Sequence, residues 1–331
     1  NGLKKVQKIT KQFDMKLNYF KQLESLKANN SFLMKLITAL ILIIYLICPS
    51  PLNAQNKPEG EVEKKKVVKK PMKHTFENTL LINSQTTETL KKRTLQFGIQ
   101  HRFGRIDQGM QEGNNFDLFG LLGVANIRIG LNYGITDRLS IGLGATKKNY
   151  VYDLRWKYKI LAQTKKVGMP ITLTYFGNVA VATIRSDDYK TFANRLSYFH
   201  QLMIARKITK SLSLQLSPSL SYFNLVDTLA GKKVEHLNFG MSLGGRIKVS
   251  PSGSIMFEFN QPITISDYGD GKKTQPGIAI GYEIDTRGHG FQLFITNAIN
   301  LIDQYNMVEN TNDFFNGEIF IGFNISRNWN F

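Results

Sequence analysis

From Ile319 to Phe331 every odd-numbered position except Arg327 is apolar (Ile319, Ile321, Phe323, Ile325, Trp329, Phe331), while Gly322, Asn324, Ser326, Asn328 and Asn330 hold the even ones. A strand alternates its side chains between two faces, so this period of two predicts one oily face and one wet face. The pattern recurs along the chain. Leu95, Phe97, Ile99 and Phe103 mark a first segment, Ala125, Ile127, Ile129, Leu131, Tyr133 and Ile135 a second, and Leu139, Ile141, Leu143 and Ala145 a third. A fourth sets Tyr152, Leu154, Trp156, Tyr158 and Ile160 against Asp153, Arg155, Lys157 and Lys159. Segments near 170–184, 194–208, 211–226, 236–249, 253–261, 277–285, 288–296 and 316–331 bring the expected count to about twelve strands.

The connections carry more weight than the strands. Tight polar turns at Thr136-Asp137-Arg138, Thr209-Lys210-Ser211, Pro251-Ser252-Gly253 and Thr286-Arg287-Gly288 alternate with longer links at 104–122, 185–193, 227–235, 262–276 and 297–315. One short-turn end and one long-loop end predict an all-β, antiparallel up-and-down transmembrane β-barrel with both termini on the periplasmic side. Links 162–169 and 147–149 fit less well, one long for a turn and the other short for a loop. Tyr133, Trp156, Tyr158, Tyr282, Trp329 and Phe331 then fall near the periplasmic rim, and Phe103, Tyr150, Tyr152, Tyr198 and Tyr222 near the outer one, as two interfacial girdles. Pro218, inside a strand segment, predicts a bulge or break. Alternation alone fits a soluble β-sandwich or lipocalin-like barrel equally well. The loop alternation, the two rims and the terminal aromatic select the membrane barrel.

Composition agrees, since a chain only 42% hydrophobic suits a barrel rather than a helical membrane protein. The apolar run Leu36–Ile47 falls short of the roughly 20 residues that a spanning helix needs. It reads as the core of a Sec signal peptide over 34–54, with Met34 and Lys35 ahead of it and Leu52-Asn53-Ala54 as the cleavage site. Residues 1–33 read as an upstream extension absent from the mature protein, 55–76 as a Lys/Glu-rich disordered linker, and 77–331 as the barrel. The only cysteine, Cys48, falls in the signal, which removes thiol chemistry from the mature chain. Of the formal charge of +18, the stretch before Gln55 carries +6 and residues 55–76 carry +4, leaving +8 for the barrel. That excludes the basic stripe of a nucleic-acid binder.

A chain that stops on an amphipathic strand with a terminal aromatic resembles outer-membrane barrels, whose assembly machinery recognises such a strand; the resemblance implies an assembly signal at Phe323, Trp329 and Phe331. The stretches His101-Arg102-Phe103-Gly104, Asn126-Ile127-Arg128-Ile129-Gly130-Leu131, Tyr133-Gly134-Ile135-Thr136-Asp137 and Gly290-Phe291-Gln292-Leu293-Phe294-Ile295-Thr296-Asn297 carry a second resemblance. Residues 95–331 are similar to an uncharacterised family of outer-membrane β-barrel proteins, a domain of unknown function of Bacteroidota-type bacteria. This implies the fold and the bacterial outer membrane, with outer-membrane lipid and the barrel assembly machinery as partners. It implies no activity.

Chemistry would reside on the inward face. The lumen-lining candidates are Arg102, Arg128, Asp153, Arg155, Lys157, Lys159, Arg246, Lys248, Glu258, Glu283 and Asp285, interleaved with small residues such as Gly98, Gly130, Gly142, Gly144, Gly240 and Gly244. Charges of both signs either line a water path or pair across the lumen and fill it. The cationic surplus of the fourth segment favours anionic solutes if a path exists. No metal site, cofactor or catalytic set is expected: His74 lies in the linker, His236 starts a strand, and His101, His200 and His289 share the lipid-facing register of different strands. Gly269-Asp270-Gly271-Lys272-Lys273-Thr274 lacks the spacing of a phosphate loop and reads as a loop tip. Asn114–Leu122 is apolar enough to form a short helix at the barrel mouth.

The leading expectation is a passive, porin-like channel for small, anionic solutes. The alternative is a non-conducting scaffold or receptor that binds a partner through loops 104–122 and 297–315. An outer-membrane lipase using His200 is a remote third, because no serine of matching register stands beside it.

Overall fold

The computed structural model describes residues 72, 74–106, 118–165, 168–226, 232–286 and 288–331. The upstream extension, the signal segment and all but the end of the linker lie outside the described residues. Twelve strands follow one another: β1 (Thr94–Arg105), β2 (Asn126–Gly134), β3 (Leu139–Thr146), β4 (Val151–Leu161), β5 (Thr172–Ala182), β6 (Leu196–Lys207), β7 (Leu212–Phe223), β8 (Leu237–Lys248), β9 (Gly253–Pro262), β10 (Gly277–Thr286), β11 (His289–Thr296) and β12 (Phe320–Asn330). Each pairs antiparallel with its neighbours, and β12 returns to β1, with Leu95 opposite Trp329 and Gly98 opposite Ser326. Closure leaves no unpaired edge, which a hydrocarbon surround requires.

The alternation seen in the sequence becomes an inside and an outside. On β2, Ile129 and Leu131 are exposed while Arg128 is buried; on β4, Tyr152, Leu154 and Tyr158 face out while Asp153, Arg155 and Lys157 are buried. The wall is apolar outside and polar inside, the inverse of a soluble barrel. Three tight turns share one device. The hydroxyl of Thr136, Thr209 or Ser250 accepts the backbone N–H three residues on, at Leu139 (3.0 Å), Leu212 (2.9 Å) and Gly253 (2.8 Å). A hydroxyl residue opening each link therefore fixes its closure.

Two sequence expectations are corrected. β7 runs unbroken through Pro218, which stands opposite Met241 of β8 with no register shift. The missing N–H is accommodated by a gap in the β6–β7 ladder, whose pairing resumes in the same register from Gln201–Ser219 to Ile204–Leu216. The register shifts fall instead between Arg102 and Arg105 and between Lys159 and Leu161. Trp156 sits mid-wall rather than at a rim, its indole lying over Gly177 of β5, where a side chain would collide with it.

Candidate functional site: an occupied lumen

Residues 74–93 precede β1 and are not part of the wall. Thr75, Phe76 and residues 78–88 run inside the barrel, so the linker ends at least two residues before the boundary expected from composition. The segment enters and leaves at the turn end, where Arg93 N donates to Gly134 O (2.8 Å) and Lys207 Nζ to His74 O (3.5 Å). Inside, it folds back as a hairpin, with Thr86 N donating to Thr79 O (3.0 Å) and Leu81 N to Ser84 O (2.9 Å). Asn83 and Ser84 supply the turn. Phe76, Leu81 and Ile82 pack with Ala205, Met256, Ala279 and Phe294 on the inner wall.

Polar groups hold the hairpin everywhere else. The Glu258 carboxylate on β9 accepts the backbone N–H groups of Ile82 (2.7 Å), Asn83 (2.9 Å) and Ser84 (2.9 Å) at the tip. Arg102 donates to Asn83 Oδ1 (2.8 Å) and Asn324 Oδ1 (3.1 Å), with its guanidinium over the Phe294 ring. Lys157 donates to the backbone carbonyls of Thr79 and Thr86, the latter at 3.1 Å. Lys159 reaches Glu88 Oε2 (3.2 Å), and Thr75 N donates to Glu88 Oε1 (2.9 Å). Burial alone would raise the Glu88 carboxyl, but His74, Lys159 and the Thr75 amide together outweigh it and hold it at about 2. Arg246 donates to Glu283 Oε1 (2.7 Å) and lies 3.8 Å from Glu77 of the inner segment.

A second element enters the lumen from the loop end. Residues 297–315, expected to be an exposed loop, carry a short helix α1 (Asp303–Val308) that packs inside the mouth. Met307 and Val308 join Phe176, Phe199, Met203 and Phe223, and Ile302 joins Val151, Ala180 and Ala182. Gly240 makes room for Met307, which a side chain there would strike. Asp303 pairs with Arg155 (3.5 Å) and accepts from Asn178 (3.2 Å) and from Gln85 of the hairpin (3.2 Å), so the two fillers touch. Of the apolar 114–122 stretch, residues 118–122 form turns, with Leu118 and Phe119 at positive φ, in place of the expected helix. Residues 114–117 lie outside the described residues.

The sequence candidates thus sort by depth. Asp153 joins Arg128 (2.9 and 2.7 Å) and Arg155 (2.7 Å) in one buried cluster, and Gly130 and Gly144 leave the space that the Arg128 guanidinium fills. Arg102, Lys157, Arg246, Glu258 and Glu283 bind the inner segment or its supports, while Lys159, Lys248 and Asp285 are half-buried at the turn end. Between the hairpin and the β1–β4 wall remains a cavity of about 80 Å³, bordered by Gln96, Gln100, Asn132, Arg128, Arg155 and Lys157. Sequence reasoning missed the hairpin and α1. The signal was the charge break at His74: seven lysines lie in 57–73, whereas 74–90 holds two glutamates and no lysine or arginine.

The histidines stay apart. His200 Nδ1 lies 2.6 Å from the Tyr175 hydroxyl on the outer wall, and His236 Nδ1 lies 2.6 Å from the Phe223 carbonyl. Among the described residues no group of histidine, cysteine or carboxylate side chains could hold a metal ion. Asp267 turns its carboxylate to the Gly269 amide (3.0 Å) and toward Lys273 (3.7 Å) in the 262–276 loop tip.

A closed antiparallel barrel with an apolar wall and a polar interior defines an integral outer-membrane β-barrel protein. The chain belongs to the family described as "Membrane bound beta barrel domain (DUF5777)", whose model matches residues 76–329 and therefore includes the hairpin as well as the wall. No curated protein matches in sequence. Among solved structures, the COG4313 outer membrane channel from Pseudomonas putida F1 is similar at 12% identity and a TM-score of 0.47, over 73% of this chain and 98% of that one. Salmonella typhi OmpF is similar at 7% identity and 0.34, over 71% and 97%. A Pseudomonas aeruginosa FadL homologue is similar at 8% identity and 0.34, over 78% and 93%.

Proposed function

We propose that this barrel is a stoppered channel for small anionic solutes, closed at rest by its own residues 74–90. The observation that carries the reading is how the stopper is held. Apart from one small apolar cluster, it hangs on hydrogen bonds and ion pairs from Glu258, Arg102, Lys157 and Lys159, contacts that water can replace. The inner wall carries Arg102, Arg128, Arg155, Lys157, Lys159, Arg246 and Lys248 against Asp153, Glu258, Glu283 and Asp285. An acidic stopper leaving such a wall would uncover a cationic lumen, which favours anions. Of the two loops that a receptor would use, 297–315 keeps Leu301, Ile302, Met307 and Val308 buried in the mouth.

The Thr75 and Thr172 hydroxyls lie 3.1 Å apart across the stopper–wall contact. A Thr75→Cys/Thr172→Cys variant, in a chain with no native cysteine beyond Cys48, can lock the segment. In planar bilayers the reduced variant should show intermittent, anion-selective openings, and oxidation should silence them reversibly. Identical silence of oxidised, reduced and wild-type protein over a range of voltages would refute the channel.

A further inference from the structure

Arg327 is the charged residue that interrupts the apolar register of β12, standing between Ile325 and Trp329 on the lipid-facing side. Its neighbours explain the exception. Across the ladder it meets His289 of β11 on one side and Phe97 of β1 on the other. His289 begins β11 directly after the β10–β11 turn, and Asn328 N donates to Gly288 O (2.8 Å), so the pair sits on the rim of the turn end. That rim faces the periplasmic leaflet in outer-membrane barrels.

Arg327 donates from Nη1 to His289 Nε2, and its guanidinium lies 5.4 Å from the Trp329 ring centroid. His289 in turn stacks on Phe291 at 6.1 Å. Among the described residues no carboxylate stands within ion-pair distance of Arg327, which is exposed. A cation on an aromatic platform, at headgroup level on a hydrocarbon-facing wall, matches a phosphate better than it matches water alone.

We propose that Arg327, steadied by His289 and the Trp329 ring, binds the phosphate of an anionic phospholipid in the periplasmic leaflet. The guanidinium fork takes two phosphate oxygens. Exposed Lys91, Lys92 and Arg93 lie at the same end, with Phe331 N donating to Arg93 O (3.1 Å) beside the end of β12. Their field adds attraction for a negative headgroup and none for a zwitterionic one. The site is independent of whether the lumen opens.

Native mass spectrometry of the detergent-purified barrel, equilibrated with equal amounts of phosphatidylglycerol, phosphatidylcholine or lipid A, tests it. Wild type should retain phosphatidylglycerol about tenfold more than phosphatidylcholine, because both carry the phosphate but only the first leaves its charge uncompensated for the cations at this rim. Arg327→Gln should lower retention of phosphatidylglycerol and narrow the preference to the part that Lys91, Lys92 and Arg93 supply, while Arg327→Lys should keep more of it. Heat-modifiable migration in each variant verifies the fold. Equal retention of the two phospholipids by wild type, an unchanged preference in Arg327→Gln, or a preference for lipid A over phosphatidylglycerol would overturn the assignment.

Discussion

Both carboxylate oxygens of Glu258 accept the backbone N–H of Asn83, at 3.1 and 2.9 Å, so a wall residue of β9 caps the tip of the inner hairpin 175 positions away in the chain. The flanking amides of Ile82 and Ser84 converge on the same group. A carboxylate that accepts three backbone amides is a latch made of charge-assisted bonds, each worth about 1.5–3 kcal/mol.

Replacing that carboxylate by an amide should loosen the tip while leaving the wall intact. Glu258→Gln retains one acceptor oxygen and turns an NH₂ group toward the amides. Hydrogen exchange at residues 82–84 should accelerate by about 10–100-fold, equivalent to the loss of about 1.5–3 kcal/mol. Exchange in β9 should stay unchanged. Equal protection in both proteins would show that the apolar contacts of Leu81 and Ile82, not Glu258, hold the hairpin.

Asp153 is the shared partner of Arg128 and Arg155, and all three are buried. Asp153→Asn leaves two guanidinium groups together without their counter-charge, a change that costs about 3–5 kcal/mol when one partner of a buried pair is removed. The temperature at which the folded band disappears in a heat-modifiability series should fall clearly. Gly144→Val should have a similar effect by evicting the Arg128 guanidinium. An unshifted transition in Asp153→Asn would mean that Asp303 and Gln100 suffice to neutralise the cluster.

Glu309 lies just beyond α1 in the loop-end filler, where burial raises its carboxyl to about 7 and Lys148 offsets part of that rise. Tyr189, Tyr268 and Tyr305, whose hydroxyls are raised by burial and then by the Glu309 charge, are titratable neighbours. Since the packed form holds the proton more tightly than a released one near the ordinary value of 4.5, its stabilisation is complete below about 4.5 and is lost as pH rises through about 7. Exchange at residues 303–310, corrected for intrinsic rates, should therefore quicken between pH 6 and 8. In Glu309→Gln that dependence should vanish; a wild-type profile that is flat over this range would remove Glu309 from control of the loop.

The wall was legible because a strand in a barrel reports its surroundings at every second residue. Ile129, Leu131 and Leu143 share one face and Arg128, Asp153 and Arg155 the other, and once the barrel is read as a membrane barrel the first set faces lipid and the second faces inward, whatever lies inside. Links were legible for a similarly local reason, since Thr136, Thr209 and Ser250 close their own turns within three residues. Pro218 misled because its missing N–H opened only a gap in one ladder and shifted no register.

The inner hairpin and α1 have no such local signature. Residues 74–90 show no long alternation, and their partners Glu258, Gln215 and Ser140 lie on β9, β7 and β3. From sequence, the inward charges fit an open water path as well as a filled interior. The sequence by itself determined a barrel of about twelve strands, because a period of two is a property of each strand alone, and its turn–loop alternation, aromatic rims and terminal aromatic decided which face meets lipid. Only the tertiary structure decided that the lumen is occupied, because that depends on which distant amide or carboxylate meets each inward charge.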